Sequence, residues 1–154
     1  MQTRMQHPAV IIPEAMEALK SLLAASHKGG VPPATLQLVG LRVSQINGCS
    51  HCLDDGLRYA KKAGLSEDKL FSVVAWRHTP YFTAAERAAL ALAEAVTRFS
   101  DRTDPVPDEI WGEAARHFDE RGLAALLLAI STMNVFNRLN STIGLIAGTP
   151  VPWD

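Results

Sequence analysis

Every apolar-periodic stretch of this chain repeats at helical spacing, and Gly or Pro stands between one stretch and the next. Pro13 opens a segment to residue 27 that places Met16, Leu19, Leu22 and Leu23 on one face. Gly29-Gly30 closes it, and Pro32-Pro33 opens residues 33–47 with Leu36, Val39, Val43 and Ile46 in phase. Asn47-Gly48 breaks that helix, and the next runs to Ala63 with Gly64 as its stop. Ser66 caps a predicted helix through Trp76, with Glu67 and Asp68 in its first turn. Thr83-Ala84-Ala85-Glu86 is a capping box that opens an Ala-rich helix over 84–99. After the linker Asp104-Pro105-Val106-Pro107, Asp108 starts a short helix to about His117. Asp119 caps a last long one carrying Leu123, Leu126, Leu127, Ile130, Met133 and Val135-Phe136. The tail from Gly148 is irregular. No run alternates with period two, so the pattern predicts one all-α domain spanning 1–154, without a sheet.

The 154 residues are 47% hydrophobic and 20% charged, enough to bury a real core. Net charge is −1 and Lys and Arg are scattered among the acids, so nucleic-acid binding has no electrostatic footing. The longest apolar run, Leu123–Ile130, is too short to cross a bilayer and reads as a buried helix face. The N-terminal stretch has one Arg, no long apolar segment before Pro13 and no small-residue cleavage site, so no signal peptide is expected. A cytoplasmic, reducing setting follows as the expectation, and there a close cysteine pair is catalytic or metal-binding rather than a staple.

The only two cysteines stand in Cys49-Ser50-His51-Cys52, at the predicted start of a helix. Three-residue spacing puts both on one face, within reach of a disulfide. The unpaired N–H groups of the first turn favour a thiolate at Cys49. His51 points about 100° around the axis from Cys52 and is a candidate proton carrier or thiolate partner. Three other readings stand beside a redox pair. The cysteines can be small core residues. Zinc with His51 would crowd three ligands into four residues with no second pair downstream. A thioredoxin-like motif needs a preceding strand, and here the preceding segment is helical.

The stretches LRVSQINGCSHCLDDGLRYAKKAG, KLFSVVAWRHTPYFTAAERAALALAEAVT and DEIWGEAARHFDERGLAALLLAISTMNVFNRLN resemble, in order and spacing, the AhpD-like alkylhydroperoxidases of the carboxymuconolactone decarboxylase superfamily. The resemblance covers roughly residues 30–142. It implies an AhpD-like helical bundle that assembles as trimers or hexamers. It also implies a redox-active disulfide that reduces hydroperoxides and is recharged by a dithiol donor such as a lipoylated protein. It needs no cofactor or metal, no nucleic acid and no membrane. By the family's order Cys52 attacks the peroxide and Cys49 resolves the sulfenic acid. The family histidine four residues after the second cysteine falls on Gly56, and a family glutamate twelve residues before the first falls on Gln37. Two members of the proton relay are therefore missing. General-base assistance is worth roughly 10²–10⁴-fold, so weakened turnover is expected. Gln37 can hold a water but cannot take a proton. Asp55, beside the vacant position, is a poor substitute base. A dithiol switch or binding protein without peroxidase turnover is the alternative. The superfamily's ring-opening and decarboxylation chemistry would leave the two cysteines without a role.

Other residues have plainer readings. Trp76, Tyr81 and Phe82 are expected to pack between helices, and His78 to cap or face solvent. Asn134, Asn137, Arg138 and Asn140 need partners and point to a subunit interface or the site itself. The Ala-rich face of 84–95 suits close packing in a core or between subunits. His7, His27 and His117 read as solvated or terminal.

Overall fold

The structure, a computed structural model, describes residues 2–101 and 103–151. The helices are α1 (Pro8–Ile11), α2 (Pro13–Ser26), α3 (Pro33–Asn47), α4 (Ser50–Lys62), α5 (Glu67–Ser72), α6 (Ala84–Thr97), α7 (Asp108–His117) and α8 (Glu120–Ile143). No strand occurs among the described residues. The ends follow from local chemistry. Proline opens α1, α2 and α3, where its missing N–H costs nothing. Thr83 and Glu86 close a reciprocal capping box on α6, and Asp119 accepts from the Gly122 N–H to start α8. The irregular tail is described as far as Val151; Pro152–Asp154 lie outside the described residues.

One expected helix is shorter. The α-helical ladder after Ser66 stops at Ser72 and tightens into a 3₁₀ turn, Val73–His78, kinked at Ala75. The tightened turn still buries Val73 and Trp76 while leaving Val74 in solvent. Tyr81 is also largely exposed, against the expectation that it packs, whereas Phe82 is buried.

Helix α3 is the hub, packed against α4, α6 and α8. On one side Val39, Val43, Leu92, Ala93, Leu126 and Ile130 interlock in the larger core. On the other, Leu38, Leu41, Ala60, Trp76, Phe82 and Leu90 form a second cluster under α4. The alanines of α6 resolve as core: Ala88, Ala89, Ala93 and Ala95 are all buried, and small side chains let α6 approach α3 closely. Helix α8 is longer than the run Leu123–Ile130 suggested, and its 24 residues are apolar enough to cross a membrane by length and composition. It packs instead on α2, α3 and α6, with Asn134, Asn137 and Asn140 buried along it.

A single carboxylate ties three elements together, α3, α6 and the 3₁₀ turn. Glu94 of α6 accepts from Arg42 Nε at 2.7 Å, Trp76 Nε1 at 2.9 Å and Arg77 Nη1 at 2.6 Å, with Arg98 at 3.5 Å. Burial pushes its pKa up, but these donors and the charge of Arg42 outweigh burial and hold it below the usual carboxylate range. A depressed carboxylate stabilises the fold above its unfolded pKa and loses that contribution as pH falls through the lower folded value. We expect Glu94→Ala to cost about 3 kcal/mol, the low end for a broken buried pair because Arg77 and Arg98 can turn to solvent. Thermal melts should then show Tm lower by about 6–12 °C at pH 7. The gap between variant and parent should narrow in acid; a gap constant with pH would assign the loss to packing alone.

Candidate redox site

The site is built where α3 hands over to α4. Gly48 sits in the left-handed region (φ 66°), which lets the chain reverse within one residue. Its neighbour Cys49 donates its N–H to Ser44 O at 3.0 Å and becomes the N-cap of α4. A row of asparagines holds this corner. Asn47 Nδ2 donates to Asn134 Oδ1 and Asn137 Oδ1, both at 2.9 Å, and Asn137 Nδ2 donates to Ser44 Oγ at 3.1 Å. Asn134 and Asn137 of α8 are therefore partnered within the chain, beside the cysteines.

Cys49 and Cys52 are disulfide-bonded, with Cα atoms 5.3 Å apart. Cys49 is 2% exposed and Cys52 7%. The two sulfurs meet different surroundings. Cys49 Sγ accepts from the Cys52 N–H at 3.3 Å, the capping contact that favours negative charge at a helix start. Cys52 Sγ accepts from Asn140 Nδ2 at 3.2 Å. Cys52, and not Cys49, lines a cavity of about 410 Å³ between α2, α3, α4 and α8. Its walls are mostly apolar, with Leu23, Leu36, Met133 and Phe136 prominent among them.

His51 is buried and lines the same cavity. Its Nε2 meets Asp55 Oδ2 at 3.3 Å, one helical turn on. Its Nδ1 is buried without a partner among the described residues. A carboxylate that fixes the Nε2 proton leaves the Nδ1 lone pair free to accept one. Asp55 also pairs with Arg58, and Asp54 is turned to the Gly148 N–H at 3.1 Å. Neither acid is aimed at the sulfurs by these contacts.

Gly56 and Gln37, the positions without the expected relay groups, line the cavity with Cys52. Gly56 is not simply an empty place. A Cβ there would lie 2.9 Å from Leu41 Cδ2, so α4 rests against the leucine of α3. His78 and His117 are exposed, as expected, and His27 is exposed at the cavity rim.

His7 corrects the sequence reading. It is 5% exposed, not solvated, and its Nδ1 caps α1 by accepting the Ala9 N–H at 3.1 Å. Arg4 straps this segment to the end of α8, its N–H on Ile143 O at 2.8 Å and its Nη1 on Thr142 O at 2.9 Å. His7 thus comes close to Asn140 and His51, and burial holds its imidazole below the usual range, with Asn140 opposing and His51 reinforcing. The pairing His7-Pro8 could have signalled a helix cap, but nothing local signals a neighbour 133 residues away.

Comparison with known proteins agrees with this architecture. The carboxymuconolactone decarboxylase family model matches residues 13–95. The chain is 31% identical over 134 residues to the uncharacterized protein YdfG of Bacillus subtilis, covering 87% of this chain and 90% of that one. It is 35% identical over 116 residues to the uncharacterized protein YnjA of Escherichia coli, 75% of this chain but 62% of that one. A crystal structure of an Agrobacterium tumefaciens protein of unknown function, provisionally named for AhpD-type antioxidant defence, superposes with a TM-score of 0.88 at 29% identity. The match covers 97% of this chain and all of that one. The debrominase Bmp8 shares the fold, with a TM-score of 0.73 at 22% identity over 88% of this chain and 73% of that one.

Proposed function

This chain belongs to the carboxymuconolactone decarboxylase family, and on that premise we propose that it serves antioxidant defence by reducing hydroperoxides through a Cys49/Cys52 disulfide cycle. The observation that carries the reading is a bonded cysteine pair of which one sulfur, Cys52, opens onto an apolar cavity. The Cys52 thiolate attacks the terminal oxygen of a hydroperoxide. The O–O bond breaks, an alcohol leaves with one proton, and Cys52 becomes a sulfenic acid. Cys49 sulfur then displaces that oxygen as water and the disulfide closes. A dithiol donor of the lipoyl class reduces the pair back to two thiols and is itself left as a disulfide. His51, oriented by Asp55, takes the Cys52 proton and returns it to the leaving oxygen. The cycle suits a reducing compartment, and the expected assembly is a trimer or hexamer.

The test is stoichiometric. Reduced protein mixed with cumene hydroperoxide should form one disulfide per hydroperoxide consumed. Multiple turnovers should follow once a lipoyl dithiol is supplied. A second reading has its own observation, the absence of a relay base at Gly56 and Gln37. On that reading the pair is a dithiol switch. It would exchange with the lipoyl dithiol at a defined potential while cumene hydroperoxide left the thiols untouched, and that outcome would overturn the peroxidase reading.

A further inference from the structure

We propose that Asn140 is a catalytic residue: its Nδ2–H stabilises the Cys52 thiolate and gives that sulfur the electrostatic support that the start of α4 gives Cys49. The inference deepens the reading in which Cys52 is the reactive sulfur and does not depend on what oxidises it.

Asn140 Nδ2 lies 3.2 Å from Cys52 Sγ, and both residues are buried. The direction of the bond follows from the sulfur. A disulfide sulfur offers only lone pairs, so an amide turned the other way would set oxygen lone pairs against them. The nitrogen end therefore faces Cys52.

Helix α4 does not supply this donor. The N–H of Cys52 in its first turn is spent on Cys49 Sγ at 3.3 Å, which gives the helix start to the other cysteine. Cys52 takes its donor from α8 instead. Asn134, Asn137 and Asn140 recur every three residues along that helix. The first two bond to α3 through Asn47 and Ser44, and the third reaches the sulfur. The turn that carries Asn140 is closed at Gly144, where the Leu145 N–H donates to Asn140 O at 2.9 Å. Just beyond, Arg4 bonds Thr142 O and Ile143 O. The amide is thus held in place before any thiolate forms.

What the amide gains depends on the state of the sulfur. A neutral sulfur is a weak acceptor, a poor return for burying an amide. A thiolate is a charged acceptor, and hydrogen bonds to charged groups are shorter and roughly twice as strong. The contact therefore favours the ionised form over the thiol and the disulfide. A leucine would fill a similar space without burying an amide, so packing alone does not call for asparagine here.

Other groups also act on Cys52. Helix α4 brings Cys49, His51, Asp55 and Tyr59, α2 brings Lys20 and His27 at the cavity wall, and His7 before α1 lies close to Asn140 and His51. The side chains that α3 and α8 present to the cavity do not titrate. These groups are the same in each variant below and its parent, so a difference between the two reports the amide.

Each cysteine is read alone in the reduced full chain, Cys52 in Cys49→Ser and Cys49 in Cys52→Ser. The ultraviolet absorbance of the thiolate is followed across pH against the chain lacking both. Asn140→Leu should raise the Cys52 midpoint by about one pH unit, a roughly tenfold loss of thiolate below both midpoints. The Cys49 midpoint should not move. Asn140→Asp keeps the shape and exchanges the N–H donor for an oxygen, and should raise the Cys52 midpoint at least as far. Should Asn140→Leu not fold by circular dichroism, Asn140→Asp is read against the same criterion. A parental Cys52 midpoint in a folded variant overturns the proposal. So does an equal shift at Cys49, which would mark a general disturbance of the corner. No hydroperoxide enters this measurement. A raised Cys52 midpoint in a chain inert to cumene hydroperoxide therefore removes the peroxidase reading alone, and a parental midpoint in an active chain removes this inference alone.

Discussion

Replacing Cys52 with alanine should abolish dithiol-dependent hydroperoxide consumption, while Cys49→Ala should leave a single oxidation per subunit and then stop. The contrast follows from the positions of the two sulfurs. Cys49 has the better electrostatic setting for a thiolate: it is the N-cap of α4 and accepts the Cys52 N–H. That setting alone would make it the attacking residue. Access decides the other way, because Cys52 lines the cavity and Cys49 does not. A thiolate-prone Cys49 behind the attacking sulfur suits the second step, in which it must displace the sulfenic oxygen. Cys49→Ala therefore strands Cys52 as a sulfenic acid, which dimedone labels once per chain. Cys52→Ala should take no label and consume peroxide only at the uncatalysed rate. If the labelled residue is Cys49 in Cys52→Ala, the order of attack is reversed. If neither variant differs from the parent, the cycle does not run through this pair.

What could be read from the chain beforehand sorts by distance along it. Helix starts were legible because their causes are local: Pro13 and Pro33 at first positions, the Thr83/Glu86 box, Asp119 before α8. The place of the cysteine pair at a helix start was legible for the same reason, since Gly48 must end one helix before Cys49 can cap the next. The stop at Ser72 was not, because Ser66, Glu67 and Asp68 report only a start, and the burial of Val73 and Trp76 beside α6 decides the rest. The placing of the polar groups was half legible. That Gln37 and Gly56 stand where the resemblance implies relay groups is written in the residues, and so is the spacing of His51 and Asp55. That His7 lies behind Asn140, and that Leu41 fills the space at Gly56, depends on which helices touch, and no local pattern carries that.

Leu41 sets the terms on which the missing base can be restored. A histidine at 56 lies one turn beyond Cys52 on the cavity side of α4, where it can serve as a general base. Gly56→His alone should disappoint. Its Cβ meets Leu41 Cδ2, and Leu41 is a buried member of the cluster under α4. Overpacking of this kind costs about 1–3 kcal/mol and forces off-rotamer side chains, so the ring would not be held where the proton is. Leu41→Ala alone should cost about 2–5 kcal/mol by leaving a cavity. The two changes share one space, so they should not add: the double variant should be more stable than the sum of the singles predicts, by about 1–2 kcal/mol of coupling. Urea unfolding of the four proteins measures that coupling directly. With the imidazole seated, kcat/KM for cumene hydroperoxide should rise by about 10²-fold over the parent, the low end of general-base assistance because Gln37 still lacks a carboxylate. The rise should follow ionisation of the new imidazole and be lost in acid. A double variant that folds, shows the coupling and turns over no faster than the parent would mean that residue 56 has no place in proton transfer here, and that His51 with Asp55 carries all of it.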